Sequence, residues 1–76
     1  MLRGKKIGVI GAGNMGAALI RGWIKNQVVL PKHLRVTDHQ QERTQALVEE
    51  LQIVSATTQE TIAHSDIVVL ATKPQD

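Results

Sequence analysis

The chain has 76 residues, 42% of them hydrophobic and 21% charged, with a formal net charge of +2 and no cysteine. Such a composition suits one small globular domain and excludes a disulfide framework or a thiolate metal centre; the histidines His33, His39 and His64 lack metal-ligand spacing to one another. The basic residues are spread along the chain beside a single aromatic, Trp23, which argues against nucleic acid, and no run nears the ~20 apolar residues of a membrane span.

Arg3, Lys5 and Lys6 precede the apolar run from Ile7 to Ala12, in superficial likeness to a secretory leader. Gly8, Gly11, Gly13 and Asn14 make that run too short and too flexible for one. Residues Ile7 to Ile10 read instead as a strand buried on both faces, as in a parallel sheet. The strand stops at Gly11-Ala12-Gly13-Asn14-Met15-Gly16, a GxGxxG turn that follows a strand directly and opens a helix. In that setting Gly11 permits the tight turn, Gly13 leaves the approach of a dinucleotide pyrophosphate unobstructed, and Gly16 lets the helix pack on the strand. The helix start then offers free amides and partial positive charge to the phosphates. From Asn14 the period changes: Met15, Ala18, Leu19, Gly22 and Trp23 recur at three and four, with Arg21 and Lys25 off that face. This predicts roughly three helical turns. Gly22 inside them costs about 1 kcal/mol against alanine, which suggests close packing there.

Pro31 closes the connection to a second strand, Leu34 to Thr37, with Asp38 at its carboxyl end, about 20 residues beyond the turn. An acid in that place accepts hydrogen bonds from the adenosine ribose, which favours NAD, although aspartate also caps turns. His39 and Arg43 stand where they could reach a 2′-phosphate, so these residues leave both NAD and NADP open. Gln41 to Leu51 is rich in helix formers, with Ala46, Leu47, Val48 and Leu51 on one side. Ile53 to Ser55 reads as a short third strand. Thr57 and Glu60 have capping-box spacing and open a short helix that runs to about His64. Ile67 to Ala71 is the strongest strand signal, and Thr72-Lys73-Pro74 breaks it because proline lacks the donor a strand needs.

The order β-α-β-α-β-α-β implies an α/β fold, the amino-terminal half of a Rossmann-type doubly wound parallel sheet with right-handed crossovers. The first three strands build outward and the fourth returns to the other side of the first. The loops at 11–16 and 72–74 then face each other across the switch point, where ligands of open α/β sheets bind.

Two blocks carry a resemblance: Lys6-Ile7-Gly8-Val9-Ile10-Gly11-Ala12-Gly13-Asn14-Met15-Gly16 with Ala18-Leu19-Ile20-Arg21-Gly22, and His64-Ser65-Asp66-Ile67-Val68-Val69-Leu70-Ala71-Thr72-Lys73-Pro74-Gln75. Over its whole length the chain resembles the amino-terminal part of the pyrroline-5-carboxylate reductases. The Gly-Asn-Met turn paired with Lys-Pro after the fourth strand is much more specific than GxGxxG alone. The resemblance implies an oxidoreductase that reduces 1-pyrroline-5-carboxylate to proline by hydride transfer, the last step of proline biosynthesis, with NADP favoured as cofactor and NAD as the alternative. By the same resemblance Ile10, Gly11, Ala12, Gly13, Asn14 and Met15 match the turn that holds the pyrophosphate, backed by Gly16. Ala71, Thr72, Lys73 and Pro74 match a loop bordering the nicotinamide end, with Thr72 where relatives usually have valine. Asp38 and His39 fall in the stretch used for ribose or phosphate recognition, and Thr58 matches a cofactor-contacting position that is often asparagine in relatives.

In that family the substrate pocket lies in a later, all-helical dimerisation domain. Residues 1–76 are accordingly expected to be a truncated NAD(P)-binding domain, without a catalytic residue and inactive alone. The whole protein is expected to be a cytoplasmic homo-oligomer acting on a small molecule, with no nucleic acid, membrane or metal. The alternatives are another reductase of the 6-phosphogluconate and β-hydroxyacid dehydrogenase superfamily, or a non-catalytic dinucleotide-sensing module.

Overall fold

The computed structural model describes residues 4–71. Its elements are β1 (Ile7–Ile10), α1 (Asn14–Lys25), a 3-10 turn (Pro31–His33), β2 (Leu34–Thr37), α2 (Gln41–Leu51), β3 (Val54–Ser55), α3 (Thr58–Ala63) and β4 (Ile67–Leu70). The strands form one parallel sheet in the order β3-β2-β1-β4. The expected Rossmann-type half-fold is present, with β4 on the far side of β1.

Apolar residues at alternate positions explain the centre of this sheet. Ile7 and Val9 of β1 and Leu34 and Val36 of β2 are all but inaccessible, and their registers align Ile7 with Leu34 and Val9 with Val36. Ile20 of α1, Leu47 of α2, Val29 and Ile53 complete the core. Gly8 points to the opposite face of β1 from its two neighbours, and α3 covers it. A Cβ at Gly8 would overlap the side chains of Thr61 and Ser65, so the close seat of α3 on β1 requires a glycine there. The start of α3 is the capping box expected from the sequence: Thr57 Oγ1 accepts from the Glu60 amide at 3.1 Å, and Thr57 N donates to Glu60 Oε1 at 3.0 Å. Those contacts with Thr57 hold the Glu60 carboxyl below the usual glutamate range. At the sheet edge, β4 pairs with β1 and leaves Ile67, Val68 and Leu70 exposed.

Several details depart from the sequence reading. The buried side of α1 runs through Gly16 and Ile20, with Ala17, Trp23 and Ile24 packed beside them, whereas Met15 is 58% exposed. The predicted face was rotated by about one residue, because Gly16 has to abut the turn and fixes the rotation of the helix. On α2 the buried residues are Thr44 and Leu47, and Ala46 lies outside the core. Ile53 precedes β3 rather than joining it, Leu70 ends β4, and Pro31 begins the 3-10 turn. The predicted break at 72–74 lies outside the described residues.

The sequence suggests close packing at Gly22, but a Cβ built there meets nothing within 4 Å. Its cost in the helix is therefore uncompensated. Gly22→Ala should raise the stability of the chain by about 0.5–1 kcal/mol in denaturant titration. A drop in stability would show a neighbour that the open space does not reveal.

Candidate functional site

The site begins where β1 ends. Gly11 has φ 112, a left-handed conformation that a side chain would strain, and its amide donates to the Thr37 carbonyl at 2.8 Å. The chain then turns into α1, whose N-cap is Gly13. No side chain caps this helix, no acid occupies its first turn, and the Gly13 carbonyl accepts from Ala17 N at 2.8 Å. The first-turn amides consequently face outward without an intrahelical acceptor, at the positive end of a 12-residue helix.

Two of the three turn glycines are small for different structural reasons. A Cβ on Gly16 would overlap the Gly11 carbonyl oxygen and come within 3.4 Å of Ala71 Cβ. A Cβ on Gly13 would meet only Arg43 Nη1, at 3.4 Å. Gly16 is required by the fold. Gly13 is not, and what its missing side chain leaves open is the space in front of the helix.

That space is a crevice of about 560 Å³, bounded by Gly11 to Met15 on one side, by Asp38, His39 and Arg43 on another, and closed by Ala71. Met15, out of the core, forms part of its wall. A larger hollow of about 670 Å³ between α2 and α3 shares Asp38 and His39 with it but includes none of the turn. We place the site at the crevice because the glycine turn and the uncapped start of α1, where no acid stands in the first turn, open onto it.

Asp38 is the most constrained polar group in the crevice. Its Oδ2 accepts from Ala12 N at 2.7 Å and its Oδ1 from Gln40 N at 2.8 Å, and its side chain is 4% exposed. Burial, the largest single influence, pushes its pKa up. The two amides, then the charges of His39 and Arg43, together outweigh that and hold the carboxyl below the usual aspartate range. His39 Nδ1 lies 3.7 Å from Oδ1 and Arg43 Nη1 3.8 Å from Oδ2, ion-pair distances too long for hydrogen bonds. The other cation of the crevice, Arg21, is committed. Its Nε and Nη2 each donate to Glu50 at 2.9 Å, which raises the arginine pKa and lowers that of Glu50. This α1–α2 clamp has no local sequence signature, since its partners belong to different helices.

The structure gathers most of the sequence-predicted residues in one place. Gly11, Ala12, Gly13, Asn14, Met15, Asp38, His39 and Ala71 line the crevice, with Arg43 beside them. Ile10 and Gly16 stand behind the turn, and Ala71 N donates to the Ile10 carbonyl at 2.8 Å. Thr58 is the first residue of α3 and lines neither hollow. Thr72, Lys73 and Pro74 lie outside the described residues. Ala46 and Leu47, assigned by pattern to the core side of α2, also border the crevice.

The amide cradle, the space left at Gly13 and the Arg43 guanidinium beside it fit the pyrophosphate of a dinucleotide. Residues 6–76 match the family described as NADP oxidoreductase, coenzyme F420-dependent. The chain is 40% identical over 75 residues to a protein of Methanosarcina acetivorans named pyrroline-5-carboxylate reductase, covering 97% of this chain and 28% of that one. It is 34% identical over 74 residues to pyrroline-5-carboxylate reductase 2 of Bacillus subtilis, covering 95% of this chain and 27% of the relative. The figure for the Escherichia coli pyrroline-5-carboxylate reductase is 38% over 71 residues, covering 92% and 26%. The chain thus spans between a quarter and a third of the length of these relatives.

Proposed function

The chain belongs to the coenzyme F420-dependent NADP oxidoreductase family, and from that premise we propose that it is the dinucleotide-binding domain of a pyrroline-5-carboxylate reductase, taking NADP(H), with NAD(H) as the alternative. The observation that carries the proposal is the glycine turn opening onto an uncapped helix start, with the Gly13 position left clear in front of it. The similarity of nearly the whole chain to three proteins named pyrroline-5-carboxylate reductase supports the choice of substrate.

In this reading the first turn of α1 and Gly13 hold the pyrophosphate, and Arg43 adds a positive charge beside it. Ala71 walls the opposite side. When bound, the dinucleotide supplies the hydride that reduces the substrate's C=N carbon. The protein's share is orientation and exclusion of water around it. The described crevice brings no convincing general acid to the reacting centre, so the imine is held and protonated by a helical domain of the whole protein, which acts as a homo-oligomer.

Titration of NADPH into the chain, followed by nucleotide fluorescence, should saturate, and the chain alone should not consume NADPH with pyrroline-5-carboxylate. Grafted in place of the matching amino-terminal segment of the Escherichia coli relative, it should restore that consumption. No binding would remove the dinucleotide reading. A folded graft that binds NADPH without turnover would remove the substrate.

A further inference from the structure

We propose that Glu50 limits how tightly the crevice holds a phosphate-bearing ligand, by withholding the Arg21 guanidinium from it. The proposal rests on the dinucleotide reading above and deepens it. The crevice does not end at the glycine turn. It continues along the seam between α1 and α2, where Ala17 and Arg21 line it from one helix and Arg43, Ala46 and Leu47 from the other. Ala17 and Arg21 are four residues apart and so share one side of α1. Arg21 stands roughly 12 Å of helix axis beyond Gly13, and helical side chains lean back towards the N-terminus. A long arginine in that place inclines towards the end of the crevice where the phosphates enter.

What the guanidinium meets is Glu50. Its Nε donates to Oε2 and its Nη2 to Oε1, both at 2.9 Å, the two-pronged form in which this kind of pair is strongest. Arg43, the other arginine of the crevice, has no such hold on it, since its Nη1 stays 3.8 Å from Asp38. Glu50 does not itself line the crevice. At close range it acts on Arg21, cancelling the charge and occupying one edge of the guanidinium. Both side chains are about half exposed, at 52% and 46%, so a phosphate group can compete for the arginine. The ligand's apparent affinity is then lowered by the share of time that Arg21 spends with Glu50. Removing the carboxylate removes the competitor.

NADPH titration at low ionic strength tests this with Glu50→Gln, Glu49→Gln, Arg21→Met and the double variant Arg21→Met with Glu50→Gln. All three positions are exposed. Glu50→Gln should bind about three- to fivefold more tightly than the unaltered chain, the scale of an exposed pair. Glu49→Gln, the same change of charge one residue away, should stay within about twofold. With methionine already at position 21, replacing Glu50 should alter the dissociation constant no more than Glu49→Gln does. At about 1 M salt, where screening sets in beyond about 3 Å, the gain in Glu50→Gln should shrink to within about twofold. Weaker binding in Glu50→Gln would make the pair a brace for the crevice walls and overturn the proposal. So would unchanged binding, or an equal gain in the double variant, and either would leave the dinucleotide reading standing. Should the unaltered chain bind no NADPH, that reading falls, and inorganic pyrophosphate replaces NADPH in the same titrations. No gain in Glu50→Gln there, or no binding of pyrophosphate at all, overturns the proposal as well.

Discussion

Gly16→Ala is expected to cost about 3 kcal/mol of stability, the upper end of what overpacking usually costs. The added methyl would overlap the Gly11 carbonyl oxygen and sit 3.1 Å from its carbon, with Ala71 Cβ at 3.4 Å on the other side. Its first obstacle is main chain, held in place because the Gly11 amide is bonded to Thr37. Nothing near it is the free end of a flexible side chain. Relief would require α1 to lift off β1, and Ile20 and Ile24 would leave the core with it. For a chain of this size the loss corresponds to roughly 12–24 °C in melting temperature. Thermal melting followed by circular dichroism measures it, and a midpoint within a degree or two of the unaltered chain would show that the helix seats differently.

Gly13→Val should do the reverse. Gly13 has φ -73, a conformation open to any residue, and the one atom near its missing Cβ is the tip of Arg43, which can swing away. Stability should change by less than about 1 kcal/mol, the ordinary cost of a poor N-cap residue. Dinucleotide affinity should fall about a hundredfold or more, because a branched side chain would stand in front of the helix amides where the pyrophosphate approaches. Titration of the folded variant decides it. An unchanged dissociation constant would place the phosphates elsewhere, and an unfolded variant would give Gly13 the role assigned to Gly16. Neighbouring glycines of one motif thus carry opposite expectations.

The sequence announces the difference in motif only, not in mechanism. Element order was legible because the chain switches cleanly between apolar runs such as Ile67–Leu70 and three-four spacing such as that of α2. The capping box at Thr57 and Glu60 was legible because both partners lie within one turn of helix. Helix rotation was not. Met15, Ala18 and Leu19 form as good an apolar stripe as the true one, and only the contact of Gly16 with the turn selects between them. Gly22 looks like a packing glycine in the sequence and faces open space in the fold. Asp38 was visible as a candidate through its place after β2. That each of its oxygens accepts from a backbone amide depends on where Ala12 and Gln40 come to rest, which no periodicity encodes.

The sheet order also sets when the site can exist. β4 joins the sheet beside β1, and at that junction Lys6 N donates to an Asp66 carboxylate oxygen while the Lys6 carbonyl accepts from Asp66 N and Ile67 N, a closure over 60 residues. Bringing the ends of so long a loop together costs about 3–4 kcal/mol of chain entropy. The β1–β2 and β2–β3 pairings close shorter loops and come sooner in any folding order that follows contact distance. On a ribosome β1 is made before β4, so the turn that follows β1 has no wall opposite until Ala71 has been synthesised and can donate to the Ile10 carbonyl. Of the strand pairings described, the one that walls the crevice therefore closes last, although the motif it faces is made well before it.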